Sequence, residues 1–557
     1  MIRTSQLPMH ARFAAVFTLT VAFAACSDGD SSPNHPGAAG NGGASTDGGT
    51  PGSAGSASGG HAGTATGGVS TSGGAGKPAT AGSAGTSSQA GSDVGGSSVG
   101  GSSVGGSAVG GSSGVSGQAG SSGEGGASGQ GGEVNEGGAS GQDAGGGAGG
   151  QGPEEVGSYG TGDDGSLSVD AAVDLSTANS GARTCADGGD AVSYSVTALA
   201  GSTATLVAAP AAGCLEVGDE VLLINLQGTA AHFGNVGNYE TLRVSAVTGS
   251  AVSFSKAKAR FYGDAADDDA NLGVTRSNQR VMLQRVPNYQ NVSVAAAGVL
   301  RASAWDGVKG GVLFLRAAGV VSVAGTLDMS GKGYAGGLQN TLVNTNGQQG
   351  ESIHGLGTNL AVASQGAGGG GIGDANACES YGASGGGGGY AAPGGDGSNA
   401  CSGKGGSAYG NASLLTQLML GSGGGAGGTD NVLSDNPPGG FGGRGGGIVV
   451  VAAANLQVTG TLVSGGTDGE GDLVAGCDNG ASTTSCWDYS GPGGAGSGGS
   501  ILLDASESSL GAELVSASGG LGGLGNPSGD GGDGANGRIA VHAITLTGST
   551  LPAATVN

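Results

Sequence analysis

The chain has 557 residues, of which 133 are glycine, 4% aromatic and 11% charged. Ordinary globular proteins carry about 7% glycine and about 25% charge, so much of this sequence cannot build a packed core and the length supports one or two folded units. The net charge of -24 argues against nucleic acid as a partner, because neutralising phosphates takes clustered Lys and Arg; it favours a soluble, self-repelling surface protein.

Residues 1–26 read as an export signal. Arg3 and Arg12 supply a positive start, and Phe13 to Ala25 form an apolar run too short for a membrane-spanning helix, which needs about 20 residues. The end of that run, Phe23-Ala24-Ala25-Cys26, resembles the lipobox of bacterial lipoproteins. The resemblance implies that Cys26 is diacylated and becomes the first mature residue, with outer-membrane lipid as its partner. Ser27 follows in place of the Asp that marks inner-membrane retention, so the expected location is the outer membrane, lipid-anchored and surface-exposed. The alternative is an ordinary cleaved signal with an incidental thiol.

Residues 27–158 hold almost nothing but Gly, Ser, Ala, Thr and acidic residues; Val-Gly-Gly-Ser-Ser recurs between Val94 and Ser113, and Lys77 is the one cation. Such a segment cannot bury enough apolar surface to offset its ordering entropy, so it reads as a disordered linker. A flexible tether of some 130 residues has a root-mean-square reach of roughly 60–70 Å, enough to lift a head clear of a lipid surface.

Structure is expected to begin near Tyr159, where Gly160 to Gly165 carries turn residues and Ser166-Leu167-Ser168-Val169 alternates. Strand candidates follow at Ala191 to Ala198, Ala204 to Ala208, Glu220 to Leu226, Thr241 to Val247 and Ala251 to Phe254, bounded by turn chemistry at Gly218-Asp219 and Thr248-Gly249-Ser250. The Glu220 run is apolar on both faces in its middle, which marks a central strand. Residues 159–263 are therefore expected to form a small antiparallel β domain. Past Cys26 six cysteines remain: Cys185, Cys214, Cys378, Cys401, Cys477 and Cys486. An even set in an exported chain reads as disulfides, and proximity favours 185–214, 378–401 and 477–486, each contributing about 2–4 kcal/mol where the geometry fits. Zinc is poorly supported, because no C-x2-C spacing occurs and His232, His354 and His542 are scattered.

Residues 264–557 read as a glycine-rich repetitive β domain. It opens on Asp264, Asp267, Asp268 and Asp269, dense enough in carboxylate oxygen to suggest calcium, with a solvated loop as the plain alternative. Trp305 precedes the first repeat and reads as a cap over its core or as a sugar-stacking platform. One strand–turn–strand unit then recurs at Gly310 to Gly337, Gly446 to Gly466, Gly498 to Gly520 and, shortened, Gly537 to Gly548. A unit this small cannot close its own core, so copies must stack. The phrases resemble the rungs of right-handed parallel β-helices in large secreted bacterial adhesins, which implies an all-β, β-helix-like fold.

Between the first two copies lie glycine runs such as Gly366 to Gly371, Gly382 to Tyr390 and Gly439 to Gly447. They resemble glycine-rich segments of phage tail-tip adhesins and of anaplastic-lymphoma-kinase-type receptors, which implies polyglycine II helices packed side by side. Such helices turn once per three residues with their backbone groups pointing outward, so each group needs a partner on a neighbour. Disordered glycine loops are the alternative.

Little of this reads as catalytic chemistry. Gly382-Ala383-Ser384-Gly385-Gly386 fits a nucleophile elbow in form but lacks the strand and helix that an elbow needs. Asp468, Glu470, Asp472, Asp488, Asp530 and Asp533 are the acids available for a polysaccharide lyase or hydrolase site, though they fall in glycine-rich loops. The leading expectation is a lipid-anchored cell-surface protein with a structural or adhesive role and no required cofactor, binding a surface polysaccharide or another cell-surface protein. Tyr381, Tyr390, Tyr409, Phe441 and Trp487 are its candidate contact residues, since aromatic side chains offer large contact area at low entropic cost. A carbohydrate-active β-helix enzyme is the alternative.

Overall fold

The structure, a computed structural model, describes residues 159–180, 183–356, 366–372, 382–399, 401–429, 438–471, 490–525 and 529–557. The export signal and linker lie outside these residues. Twenty strands and no helix occur among the described residues. Two short strands, β1 (Leu167–Val169) and β2 (Ala172–Asp174), come first. Six more follow: β3 (Ser193–Ala200), β4 (Thr203–Leu206), β5 (Glu220–Gln227), β6 (Tyr239–Thr248), β7 (Ala251–Phe254) and β8 (Arg280–Arg285). Then come β9 (Asn288–Tyr289), β10 (Val292–Val294), β11 (Val299–Arg301), β12 (Val312–Val323) and β13 (Thr326–Asp328). After a small hairpin, β14 (Glu351–Ser352) and β15 (Gly355–Leu356), the chain completes β16 (Ile448–Val458), β17 (Thr461–Val463), β18 (Ser500–Ser516), β19 (Arg538–Leu551) and β20 (Thr555–Val556).

The repeats stack as one parallel solenoid. Val312 pairs with Ile448, Ile448 with Ser500 and Ser500 with Arg538, so copies more than a hundred residues apart in sequence are adjacent rungs. On the other wall Leu300 pairs with Leu327, Leu327 with Leu462 and Leu462 with Val515. Because side chains alternate across a strand, every second residue points inward. Leu313, Leu315, Val449, Val451, Ile501, Leu503, Ile539 and Val541 thus line one continuous core.

The antiparallel unit is a closed barrel in the order β3-β4-β7-β6-β5-β8, inserted into the solenoid after its first rung. Its limits differ from residues 159–263. β1 and β2 belong to the solenoid, pairing with β10 and β11, and β8 is needed to close the barrel against β3 and β5. The reason lies in one phrase: Leu167-Ser168-Val169, Val292-Ser293-Val294 and Val321-Ser322-Val323 align residue for residue, apolar-polar-apolar with Ser outward. β5 is buried along its whole length because its two faces serve different cores. Val221 and Leu223 point into the barrel, whereas Leu222, Ile224 and Leu226 pack on Phe314, Ile448 and Leu420.

The glycine runs form a packed body continuous with the solenoid, leading directly into β16, β18 and β19. The run at 421–429 shows the bonding. Gly421, Gly424 and Gly427 donate to the carbonyls of Gly446, Gly443 and Gly440; Gly423, Ala426 and Thr429 donate to Glu351, Gln348 and Thr345; Gly425 and Gly428 donate to Gly386 and Ala383, all at 2.8–3.0 Å. Its carbonyls accept in the same period of three, from Tyr334 and Gly337, from Gly368 and Gly371, and from Ser497, Gly494 and Gly491. One run therefore bonds six neighbours, which is the lateral packing of polyglycine II. The runs at 382–389 and 490–499 are surrounded in the same way.

Such packing leaves no room for a side chain. A Cβ on Gly427 would sit 1.6 Å from the Gly491 carbonyl oxygen, and backbone cannot yield as a flexible side chain does. Gly427→Ala should lower stability by about 3 kcal/mol or more, the upper range for overpacking. Gly201→Ala, at a barrel turn with nothing within 4 Å, should leave it nearly unchanged. Denaturant unfolding of the two variants tests the contrast.

Candidate functional site

The barrel and solenoid meet at a charged cleft of about 310 Å³, lined by Thr161, Asp163, Asp164, Arg183, Glu216, Val217, Gly218, Asp219, Glu220, Arg243, Arg285, Val286 and Asn288. Its floor is a chain of ion pairs. Arg183 reaches Asp219 through Nη1 and Glu216 at 3.4 Å through Nη2. Arg285 contacts Asp219 at 3.4 Å and pairs with Asp164, whose other oxygen accepts the Asn288 amide at 2.7 Å. Glu220 accepts from Arg316 Nε at 2.8 Å and from the Asn288 side chain at 3.1 Å. Asp219, Glu220 and Arg285 are barrel residues, whereas Asp164, Asn288 and Arg316 belong to the solenoid, so the pairs also fasten one body to the other. Charges this deeply buried persist only when paired and hydrogen-bonded.

Sequence reasoning passed over these residues, although a signal was present. Arg316 interrupts the apolar run Val312-Leu313-Phe314-Leu315, and an Arg embedded in a buried strand demands a buried acid. Asp219-Glu220 opens the most apolar strand of the barrel, which poses the complementary demand.

The residues singled out from sequence are scattered. Tyr390 and Tyr409 are not exposed contact tips. Both are buried in the core shared by barrel, solenoid and glycine runs, with ring centroids 4.7 Å apart. The Tyr390 hydroxyl bonds Ser500 Oγ at 2.6 Å, and Tyr409 donates to the Leu420 carbonyl at 2.5 Å. Burial pushes the Tyr390 phenol up to about 12 and raises Tyr409 as well. A bulky residue ending a glycine run fills the space where runs converge, which removes it from solvent. Phe441 is 40% exposed on the rim of the glycine body. Trp305 is buried and edge-on to Tyr334 at 6.0 Å, in the core shared by barrel, solenoid and glycine runs. Cys26, Cys378, Tyr381, Asp472, Cys477, Cys486, Trp487 and Asp488 lie outside the described residues. Cys185 and Cys214 form a disulfide, and Cys401 is disulfide-bonded.

The candidate acids are committed to the backbone. Asp468 accepts the Leu521 amide at 2.8 Å, Glu470 that of Phe441 at 3.1 Å, Asp533 that of Gly522 at 2.9 Å and Asp530 that of Gly525 at 3.1 Å. Each stands on the rim, where an outer run lacks a further neighbour and a carboxylate supplies the missing acceptor. The Asp264–Asp269 loop behaves likewise. Asp264 accepts from Gln279, Asp268 from the amides of Ala265 and Ala270, and Asp269 from the Tyr262 amide while pairing with Lys258; Asp267 faces solvent. Among the described residues no group of three or more His, Cys, Asp or Glu is placed to hold a metal ion. Ser384 is buried with its hydroxyl 2.7 Å from that of Ser402, and it lies on a glycine run, with no strand or helix around it to form an elbow.

No family model matches the sequence, and no curated protein matches it. Among solved structures the chain is similar to the tailspike gp61 of Pseudomonas phage phi297, at 18% identity and a TM-score of 0.11, over 30% of this chain and 26% of that one. It is also similar to the tailspike gp49 of Pseudomonas phage LKA1, at 13% identity and a TM-score of 0.12, over 69% and 67% of the two chains. A third is the Gp54 tailspike of Acinetobacter baumannii bacteriophage AP22, in complex with capsular saccharide, at 12% identity and a TM-score of 0.14, over 71% and 62%. The chain spans about a quarter of the first tailspike's length. Scores this low leave the functional argument to the chain's own geometry.

Two measurements test the roles given to these charges. Glu220→Ala removes the buried carboxylate that Arg316 Nε donates to and should cost about 3–5 kcal/mol of stability, read from denaturant unfolding; the Glu220→Ala, Arg316→Ala pair should cost less than the sum of the two single changes. On the rim, the Gly405 amide, followed by the Lys404 ammonium, holds the Asp396 carboxyl below the usual carboxylate range. A depressed carboxylate adds stability above the ordinary carboxylate pKa and loses it as pH falls through the lowered value. Titration followed by NMR should place Asp396 below ordinary Asp, and Lys404→Ala should raise it only in part, because the amide remains.

Proposed function

We propose that this chain is a lipid-anchored cell-surface protein whose head has a structural or adhesive role, binding extracellular surfaces or polymers. The observation that carries the reading is the use made of the polar groups. Interior glycine runs bonded to six neighbours, with rim carboxylates spent as backbone acceptors, make a stiff frame and leave those acids without the freedom that acid–base work needs. The barrel–solenoid junction adds buried ion pairs and a disulfide close by, as suits a body held outside the cell. The lipobox-like end at Cys26 supplies an anchor, and residues 27–158 supply the reach from a membrane to a surface beyond it. A surface polysaccharide or a protein on another cell is the corresponding partner.

The anchor is tested by palmitate labelling of cells that make the natural chain or Cys26→Ser, together with protease treatment of intact cells. Label on the natural chain only, with the head cleaved from whole cells, is the expected result. Equal label in both, or a head that resists protease until cells are broken, overturns the reading.

A further inference from the structure

We propose that the charged cleft between barrel and solenoid is a binding site for neutral saccharide units, an assignment that rests on the surface-binding role above. The cleft is drawn from separate stretches, 161–164, 183, 216–220, 243 and 285–288, so it exists only in the folded head. It divides into an inner and an outer layer. The inner guanidinium of Arg285 bonds the carboxylates of Asp164 and Asp219, Glu220 bonds Arg316 and Asn288, and these acids and guanidiniums are nine-tenths buried, or close to it. They are fixed, and they hold the wall rigid.

The outer layer retains free valences. Among the described residues the Asp163 carboxylate accepts no hydrogen bond, and Arg243 donates only through Nη1, to the Gly218 carbonyl at 3.2 Å. Glu216 has a single contact to Arg183 at 3.4 Å and is 58% exposed. The Thr161 hydroxyl completes the group. Carboxylates accept paired O–H donors, and a guanidinium fork donates to two oxygens at once. A vicinal diol with a nearby ring or glycosidic oxygen matches this set, because it offers donors and acceptors on adjacent atoms.

Charge selects among saccharides. The lining holds five carboxylates against three guanidiniums, in a chain of net charge -24, so uronate, sulfate or phosphate groups are repelled. A cationic ligand meets the fixed Arg183 and Arg285 behind the outer acids. Neutral sugars avoid both penalties. About 310 Å³ lies at the low end of ligand sites, roughly 300–1,000 Å³, and suits about one or two rings rather than a long chain segment.

The test uses the full chain carrying Cys26→Ser, titrated calorimetrically with cellopentaose, maltopentaose, chitopentaose and, as the acidic probe, pentagalacturonate. At least one neutral probe should bind with pentagalacturonate at least about tenfold weaker, and Asp163→Ala and Arg243→Ala should each weaken binding about tenfold without lowering the melting temperature. Both residues stand on the outer layer, so their loss leaves the floor intact. Neutral binding untouched by either change, tighter binding of the acidic probe, or no neutral binding at all overturns the cleft assignment. Cells that nonetheless adhere to a polysaccharide-coated surface through the natural chain keep the adhesive role, which separates failure of the cleft from failure of the function.

Discussion

The glycine body of this fold depends on the saturation of backbone hydrogen bonds between chain segments that carry few and small side chains. A single such bond contributes only about 0.5–1.5 kcal/mol net, whereas a buried donor or acceptor left without a partner costs about 1–3 kcal/mol. Glycine also loses more conformational freedom on folding than any other residue. A glycine body is therefore stable only if its network is close to complete. The period of three achieves this geometrically, because three successive amides point to three different neighbours. For the run at 421–429 those are the runs around Gly443, Gln348 and Gly386. Where the lattice ends, Asp468, Glu470, Asp530 and Asp533 take over as acceptors.

The same requirement explains the unequal spacing of the solenoid repeats. The chain between β13 and β16 leaves the solenoid, its described residues build most of the central glycine runs, and it returns at Ile448, in register with Val312. Stacking is not interrupted, since the inserted runs bond to Gly442–Gly447 and Gly491–Gly499, which themselves lead into β16 and β18. The solenoid sets the spacing at one end of these runs, and the runs hold the rungs in register in turn.

Much of this could be read from residue order. Unit recurrence foretold the stacked rungs, whereas for the glycine runs lateral packing was only what a resemblance implied, with disordered loops as the alternative. The Thr248-Gly249-Ser250 turn located the β6–β7 hairpin of the barrel, whereas Gly218-Asp219 leads into β5 from a strand that does not pair with it. What escaped was set by contacts between distant residues. Leu167-Ser168-Val169 looks like the start of an antiparallel unit until its likeness to Val292-Ser293-Val294 is weighed, and only the closed rung makes that likeness decisive. Tyr390 follows Gly389 and Tyr409 precedes Gly410, so both resemble loop tips, yet three converging bodies enclose them. The rim acids lie in what reads as loop, because a side-chain acceptor serving a neighbouring run leaves no local pattern.

A body made of glycine also constrains where recognition can occur. Its flanks present backbone already bonded and few side chains, so they offer little that distinguishes one ligand from another. Specific recognition needs convergent side chains on a rigid wall. In the described head those conditions meet where the barrel is inserted. The two bodies leave a cleft there, and Arg285 and Glu220 were already required to join them, through Asp164 and Arg316. The charges that fasten the barrel thus also preorganise the cleft, so that Asp163, Glu216 and Arg243 stand against a fixed background. Ligand sites favour such boundaries between domains; here the glycine frame makes the boundary the place where side-chain chemistry can be concentrated.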